Sequence, residues 1–170
     1  RGHLLIAAPQ LSDYFRRTVV LVVEHSDDGA MGLVLNRPTD SEVTEAVPSL
    51  APLVAGDEMV HAGGPVQPDS VLVLGDFDEP EEAGTQVTGT LGLLDPEHAD
   101  AEMSRVKVFA GYAGWAPGQL DEEIEREAWI TVPAAAEDPF SEDDLWSAAL
   151  TRKGGQYVLL AYMPADPTLN

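Results

Sequence analysis

The 170-residue chain carries thirty Asp and Glu residues against nine Lys and Arg, a formal net charge of -21. Its hydrophobic content of 44% excludes a disordered chain, and this length suits one core, so we predict a single domain over residues 1–170. The lack of cysteine excludes disulfides, thiol catalysis and metal centres bound through cysteine.

The acidic excess is spread evenly along the chain, which bears on the choice of partner. Residues 1–85 hold four basic and fifteen acidic side chains, and residues 86–170 hold five and fifteen. A protein that binds duplex DNA neutralises roughly 6 to 10 phosphates with Lys or Arg, which here would occupy nearly every cation. We therefore expect a protein or small-molecule partner, no direct nucleic-acid binding and no binding to anionic membranes.

The apolar runs are short. The longest, 19–23 and 157–163, fall well below the roughly 18 to 20 residues of a membrane helix. No segment has the charged start and cleavage site of a signal peptide. These features favour a cytoplasmic protein.

The first part of the chain predicts three strands, at 4–8, 18–24 and 31–35, because these runs are short, apolar and rich in β-branched residues. The Asp28-Gly29 pair is typical of a tight turn, so we predict that the last two strands form an antiparallel hairpin. Pro38 has no backbone N–H to donate and marks the end of the second strand.

The middle of the chain is less regular. Residues 39–58 predict at most a short helix from Ser41 followed by a loop. Further strands are predicted at 59–61, 71–74 and 86–93. The acidic segment 76–84, which contains Pro80, predicts a surface loop, and Asp95-Pro96 predicts the start of a short helix to about Ser104.

A strand, a helix and a strand are predicted at 105–112, 117–127 and 128–133. The connection of about fifteen residues between the two strands is long enough for a parallel crossover, which would be right-handed.

The final helix is predicted to begin at Ser141 as N-cap, with Asp144 at the capping-box position and Phe140 packed on Leu145. Its predicted buried stripe consists of Leu145, Trp146, Ala149 and Leu150.

The end of that helix is predicted at Gly154, where a left-handed backbone stops it. Arg152 and Lys153 complement the negative helix end, so we do not interpret them as a binding site. The apolar residues 156–163 predict a last strand that returns to the core.

The common catalytic and phosphate-binding motifs are absent from the sequence, including G-x-S-x-G, G-x-x-x-x-G-K-[ST], G-x-G-x-x-G after a strand and H-E-x-x-H. The histidines are His3, His25, His61 and His98, without ligand-like spacing. With thirty carboxylates, a His–carboxylate meeting arises easily by chance, and an exposed helix explains His98 and a hairpin tip His25. We expect no metal site and no cofactor, and we assign no catalytic residue.

Gly63 and Gly64 form the first candidate ligand site, because two glycines at the end of a strand allow close backbone approach. Such a pair serves either a ligand or a tight bend, and the bend is the more frequent case.

The second candidate comprises Tyr112, Trp115 and Gln119, at the carboxyl end of a predicted strand that leads into a helix. Open α/β sheets place ligand crevices there, and the two aromatic rings offer flat surfaces with polar tips. The acidic residues Asp121, Glu122 and Glu123 at the helix start would repel a phosphate, which argues against a nucleotide. Core packing of the helix is the competing explanation.

Asn36 and Arg37 form the third candidate, because Arg37 is a rare cation in an acidic chain. It serves either as the centre of an ion-pair network or as a contact for an anion, and we favour the ion pairs.

Three segments together resemble the YqgE/AlgH family of uncharacterised proteins: residues 2–38, from G-H-L-L-I-A-A-P-Q to G-L-V-L-N-R-P; G-G-P-V at 63–66; and G-Y-A-G-W-A-P-G-Q-L-D-E-E-I at 111–124. The resemblance covers nearly the whole chain in order, with Trp129 and Trp146 in place. It departs from the family at Ala116-Pro117, at Asp121 and in the acidic segment 76–84.

The resemblance implies an α+β domain with a mixed, partly barrel-like β-sheet surrounded by helices. It implies no reaction, because the family has no established reaction. The family's label as a transcriptional regulator rests on a link to exopolysaccharide production in some members. Residue chemistry favours a non-enzymatic binding or regulatory module. The alternatives are a small-molecule or nucleotide-binding protein or enzyme with a site near Gly63-Gly64 and Tyr112–Trp115, and a direct DNA-binding regulator.

Overall fold

A computed structural model describes residues 1–11, 13–54, 56–95, 97, 100–141 and 144–163. The strands are β1 (His3–Ala7), β2 (Val19–Ser26), β3 (Gly29–Val34), β4 (Pro38–Glu42), β5 (Met59–Ala62), β6 (Val66–Phe77), β7 (Thr85–Thr88), β8 (Leu91–Leu93), β9 (Met103–Trp115) and β10 (Trp129–Pro133). The α-helices are α1 (Val43–Ala46), α2 (Gln119–Glu125), α3 (Leu145–Lys153) and α4 (Tyr157–Leu160), and 3-10 turns lie at Pro48–Leu53, Pro80–Glu82 and Asp138–Phe140.

The strands form one large sheet in the order β10-β1-β2-β3-β9-β6-β8-β7, with β5 paired to β9 and β4 paired to β5. The β5–β9 pair is parallel, whereas the other described pairs are antiparallel. The predicted α+β class with a mixed sheet is confirmed. The described strands do not close into a barrel, because β7 and β10 at the two ends of the order are not paired to each other.

The hairpin prediction is confirmed. Strands β2 and β3 pair in antiparallel register from Val20 opposite Val34 to Ser26 opposite Gly29. The register shifts between Val22 and Glu24, so one extra residue forms a β-bulge near the tip of the hairpin.

The predicted crossover between neighbouring parallel strands is wrong. β10 pairs with β1, so that β1, β2 and β3 lie between it and β9 in the sheet, and the parallel neighbour of β9 is β5. Helix α2 lies between β9 and β10 in the chain. It packs on one face of the sheet, against the second cluster of buried residues, and does not connect two adjacent parallel strands.

Several predicted elements differ in extent. Strand β4, which begins at Pro38, was not predicted.

The predicted strand 86–93 is two strands, β7 and β8. The alternating pattern of residues 86–93 continues through the turn between them, but Gly89 has a φ of 54° and the chain reverses there.

The predicted acidic loop begins later than expected, since β6 continues to Phe77. In the predicted helix from Asp95, residues Pro96, His98 and Ala99 lie outside the described residues. The prediction that His98 lies on an exposed helix is therefore not tested. That helix cannot reach Ser104, because β9 begins at Met103.

The predicted start of the final helix is wrong by several residues. Asp144, not Ser141, is the N-cap of α3, and its carboxylate accepts from the backbone N–H of Ser147 at 3.2 Å. The predicted buried stripe is confirmed, since Leu145, Trp146, Ala149 and Leu150 are all buried. The helix ends at Gly154, as predicted, with a φ of 79°.

The predicted last strand is instead the one-turn helix α4. Gly154 and Gly155 both have a positive φ, and the chain turns back along α3 at these two residues. The hydroxyl of Ser147 donates to the Ala161 carbonyl at 3.0 Å and fixes this return. Only part of the apolar run is buried, because Leu159 is 76% and Tyr162 81% exposed.

The hydrophobic core consists of three separate clusters of buried residues. One cluster joins β1, β2, β3, β6, β7, β8, β9 and β10 to α3 and includes Phe109 and Trp146. A second, on the opposite face of β1, β2 and β9, includes Trp115 and Trp129 under α2. The third packs Val43 of α1 against β5, β6 and β9. β9 contributes to all three clusters and therefore fixes the positions of the candidate sites.

Candidate functional site

The seven residues predicted to bind a ligand do not meet in one pocket. Asn36 lines one cavity, while Trp115 and Gln119 line another. Trp115 lies in the second core cluster and Tyr112 packs against the first, on the opposite face of β9. The glycine pair lies in neither lining.

Gly63 and Gly64 are packed directly against the backbone of β9. Gly63 donates to the Ala110 carbonyl at 2.9 Å and accepts from the Val34 N–H at 2.9 Å. A Cβ on Gly64, whose φ is 156°, would lie 2.1 Å from the Tyr112 carbonyl carbon. This close backbone contact requires glycine and leaves no room there for a ligand.

The side chain of Asn36, which follows β3, is hydrogen-bonded to the backbone at the start of β2. Its amide oxygen accepts from the Val19 N–H at 3.0 Å, and its amide nitrogen donates to the Arg17 carbonyl at 2.9 Å. These bonds satisfy backbone groups where β3 has ended. Asn36 thus supports the wall of the cavity that it lines.

Arg37 is not the centre of an ion-pair network. Its guanidinium donates to the Arg16 carbonyl, and no carboxylate in the described part of the chain lies within ion-pairing distance. Among the described residues, the arginines that form ion pairs are Arg105, with Asp76 at 2.7 Å, and Arg152, with Asp138 at 2.8 Å.

Trp115 and Gln119 border a cavity of about 520 Å³ between α2 and the segment that follows β1. The indole N–H of Trp115 donates to Glu123 at 3.0 Å, and the Gln119 amide donates to the other Glu123 oxygen at 2.9 Å. Phe15 stacks on Trp115, with ring centroids 6.4 Å apart. Glu123 was not predicted as a site residue, yet it organises this aromatic wall.

A second cavity, of about 300 Å³, contains the more unusual chemistry. It is lined by Leu35, Asn36, Pro38, Glu58, His61, Val106, Lys107, Pro139, Phe140, Ser141 and Leu145. We call it the Lys107 cavity. Its walls come from the ends of β3 and β5, the middle of β9 and the segment before α3, so elements far apart in sequence form it.

Lys107 is the buried cation of this cavity. Its side chain lies on the same face of β9 as Phe109, and the residue is only 8% exposed. The amine donates to the Leu35 carbonyl at 2.9 Å and to the Pro139 carbonyl. Burial lowers the pKa of Lys107 to about 8, and the charge of Glu58 opposes that effect.

His61 lies beside Lys107, because the parallel pairing places it opposite Phe109. Burial, together with the positive charge of Lys107, lowers the pKa of His61 to about 4. The imidazole is therefore neutral near pH 7, and Glu58 supplies the negative charge that lines the cavity.

One sequence pattern indicates that the Lys107 side chain is buried. In an alternating strand, residues 105, 107 and 109 share a face, and Phe109 is a core residue. A lysine two residues from a core phenylalanine on a buried strand predicts a buried amine. Its partners at Leu35 and Pro139 could not be predicted, since they are distant in sequence.

No group of three or more His, Asp or Glu within the described ranges could hold a metal ion. Among the described helices, none is long and apolar enough to cross a bilayer.

Comparisons with known proteins agree on one family. The family model described as AlgH-like matches residues 4–158. A UPF0301 protein of Streptomyces coelicolor is 39% identical over 99% of this chain and 94% of its own length. A UPF0301 protein of Rhodococcus jostii is 37% identical over 99% of this chain and 90% of its own.

Two solved structures have the same fold. The crystal structure of a Corynebacterium diphtheriae protein matches with a TM-score of 0.85 and 31% identity, covering 94% of this chain and 90% of its own. The solution structure of AlgH, a UPF0301 protein from Pseudomonas aeruginosa, matches with a TM-score of 0.72 and 32% identity, covering 96% and 93%. The chain therefore belongs to the AlgH-like family, as its sequence motifs predicted.

Proposed function

We propose that this protein is a non-enzymatic, cytoplasmic binding module, and that the Lys107 cavity holds a small uncharged ligand with an oxygen acceptor. The observation that carries the proposal is the buried amine of Lys107, which lines the cavity and, among the residues that the structure describes, has no carboxylate in hydrogen-bonding contact.

A buried ammonium is costly, because two backbone carbonyls replace only part of its hydration. Strand β9 would bury a leucine or methionine at this position without that cost. An ammonium has three N–H bonds, and the described residues accept two of them. We propose that the third N–H donates a hydrogen bond to an acceptor atom of a ligand.

Charge decides the class of ligand. Among the described lining residues, Lys107 supplies one positive and Glu58 one negative side chain, and the protein as a whole carries a net charge of -21. Entry of a nucleotide or another polyanion is opposed by this field, whereas a neutral polar molecule is not. The apolar walls at Leu35, Val106 and Phe140 suit such a molecule.

The net negative charge of the protein also bears on how it could act on transcription. We propose that any effect of this protein on transcription depends on a bound small molecule or a protein partner, not on direct binding to DNA. We expect no retardation of duplex DNA in a gel at physiological salt. A retarded band that fades steeply as salt rises would contradict this proposal.

The binding test is an NMR titration of the ¹⁵N-labelled full chain with butanamide and, separately, butane-1,4-diol. We expect amide shifts confined to Leu35, His61 and Val106–Val108, saturating with probe concentration. At 100 times its dissociation constant, a probe should also raise the unfolding free energy by about 2.7 kcal/mol.

Lys107→Met is the matched variant, because it keeps an unbranched apolar side chain of similar length and removes the amine. It should lose the butanamide shifts while keeping a folded spectrum. Shifts centred instead on Phe15 and Trp115 would move the site to the aromatic cavity, and no saturable shift anywhere would refute the proposed ligand class.

A further inference from the structure

The hydrogen bonds of Lys107 leave its nitrogen lone pair available. A neutral primary amine has two N–H bonds and one lone pair. The carbonyls of Leu35 and Pro139 accept two N–H bonds, so a neutral Lys107 is fully satisfied as a donor by the protein. Its lone pair is then used by neither carbonyl, and the Lys107 side chain lines the cavity.

The neutral form of Lys107 is populated near neutral pH. Burial lowers its pKa to about 8, so roughly a tenth of the amine is unprotonated at pH 7. An exposed lysine with the ordinary pKa of about 10.4 has fewer than about one neutral amine in a thousand at that pH. Desolvation of this kind is how lysines become nucleophiles toward carbonyl carbon.

We propose that Lys107 is a nucleophile that forms a reversible imine with a small uncharged aldehyde or ketone bound in its cavity. This inference rests on the proposed function, because it identifies the ligand's oxygen acceptor as a carbonyl oxygen.

The step balances without an oxidant or reductant. The nitrogen lone pair forms a bond to the carbonyl carbon, and the π electrons of the C=O bond move to oxygen to give a carbinolamine. The C–O bond then breaks, and the oxygen leaves as water with the two protons of the amine. Hydrolysis reverses the step and releases the ligand.

The surroundings of Lys107 suit this chemistry. The negative charge of Glu58, which raises the pKa of Lys107, also favours a protonated imine. His61 is neutral at pH 7, since its pKa is lowered to about 4, so it adds no opposing charge. The imine nitrogen takes up a proton from water, and the single N–H of this protonated imine can be accepted by either backbone carbonyl.

The chain provides its own control, because Lys107 and Lys153 are its two lysines. Lys153 is exposed in the last turn of α3. Simple accessibility therefore favours reaction at Lys153, while the proposed chemistry favours Lys107.

The test is reductive trapping. The full chain is incubated at pH 7 with butanal and sodium cyanoborohydride, digested, and analysed by mass spectrometry for butylation at each lysine over time. We expect Lys107 to be modified at least tenfold faster than Lys153. Lys107→Met should lose the fast adduct, and Lys153→Met should retain it.

Equal or faster modification of Lys153, or modification of Lys107 only in urea, would overturn the inference. Butanamide separates this failure from failure of the proposed function, because its carbonyl does not form an imine. Butanamide binding without rapid butylation refutes the covalent step alone. Absence of both refutes the covalent step and the binding site together.

Discussion

The indoles of Trp115 and Trp129 lie edge to face, with ring centroids 6.2 Å apart, and both donate to the same oxygen of Glu123. The second Glu123 oxygen accepts from Gln119. One carboxylate on α2 thus joins the end of β9 to the start of β10, two strands that are not neighbours in the sheet.

Glu123→Gln should destabilise the protein, because an amide nitrogen replaces one of the two accepting oxygens. We expect a loss of about 1–3 kcal/mol in the free energy of unfolding, measured in urea with tryptophan fluorescence. Glu122→Gln is the matched control on the same helix, is exposed, and should change stability by less than about 0.5 kcal/mol. Equal losses in the two variants would contradict a structural role for the Glu123 bonds.

Arg152→Met should also destabilise the protein, because Asp138 is 4% exposed and would lose its bidentate partner. The guanidinium is partly exposed, so we expect about 3 kcal/mol, the lower end of the cost of breaking a buried pair. Lys153→Met, which removes a neighbouring charge at the same helix end, should cost about 0.5 kcal/mol. Urea unfolding measures both, and similar values would mean that Arg152 acts only on the helix dipole.

Lys107 should make stability depend on pH in the alkaline range. Between about pH 8 and the ordinary lysine pKa, the unfolded chain holds a proton that the folded chain has released. The unfolding free energy of the wild type should therefore rise with pH relative to Lys107→Met. Urea unfolding of both proteins at pH 7, 8.5 and 10 measures the difference, and a constant difference would show that Lys107 titrates normally.

His61 should act in the acidic range. Its pKa is lowered from 6.5 to about 4 in the folded chain, so acid unfolding adds a proton to His61 between those values. Stability should fall as pH drops from 6.5 to 4, and less steeply in His61→Asn. The imidazole NMR signal should titrate with a midpoint near 4, and a midpoint near 6.5 would contradict its burial.

Local signals predicted the local structure well. The Asp28-Gly29 turn and two β-branched runs sufficed for the β2–β3 hairpin, and the buried stripe of α3 follows from helical spacing. The cap was misplaced because Ser141 and Asp144 are both good N-cap residues, and only the fold selects between them.

The candidate site could be predicted only in part. The predicted strand ended at Tyr112, whereas β9 continues to Trp115. Two residues that are three apart in one strand point to opposite faces, so Tyr112 and Trp115 cannot share a cavity. The Lys107 cavity depends on the parallel β5–β9 pair, which no sequence pattern indicated.

The position of β9 has a consequence for local opening of the molecule. Phe109 and Ala110 are paired with β6 and also with β5, whereas β7 ends the sheet and pairs with β8 alone. In a hydrogen–deuterium exchange experiment, the backbone amides of β7 should exchange through local opening of this edge strand. The amides around Lys107 should exchange only when the whole domain unfolds. We therefore expect the buried amine to lie on a slowly exchanging part of the backbone, with its access to solvent set by side chains at the cavity rim.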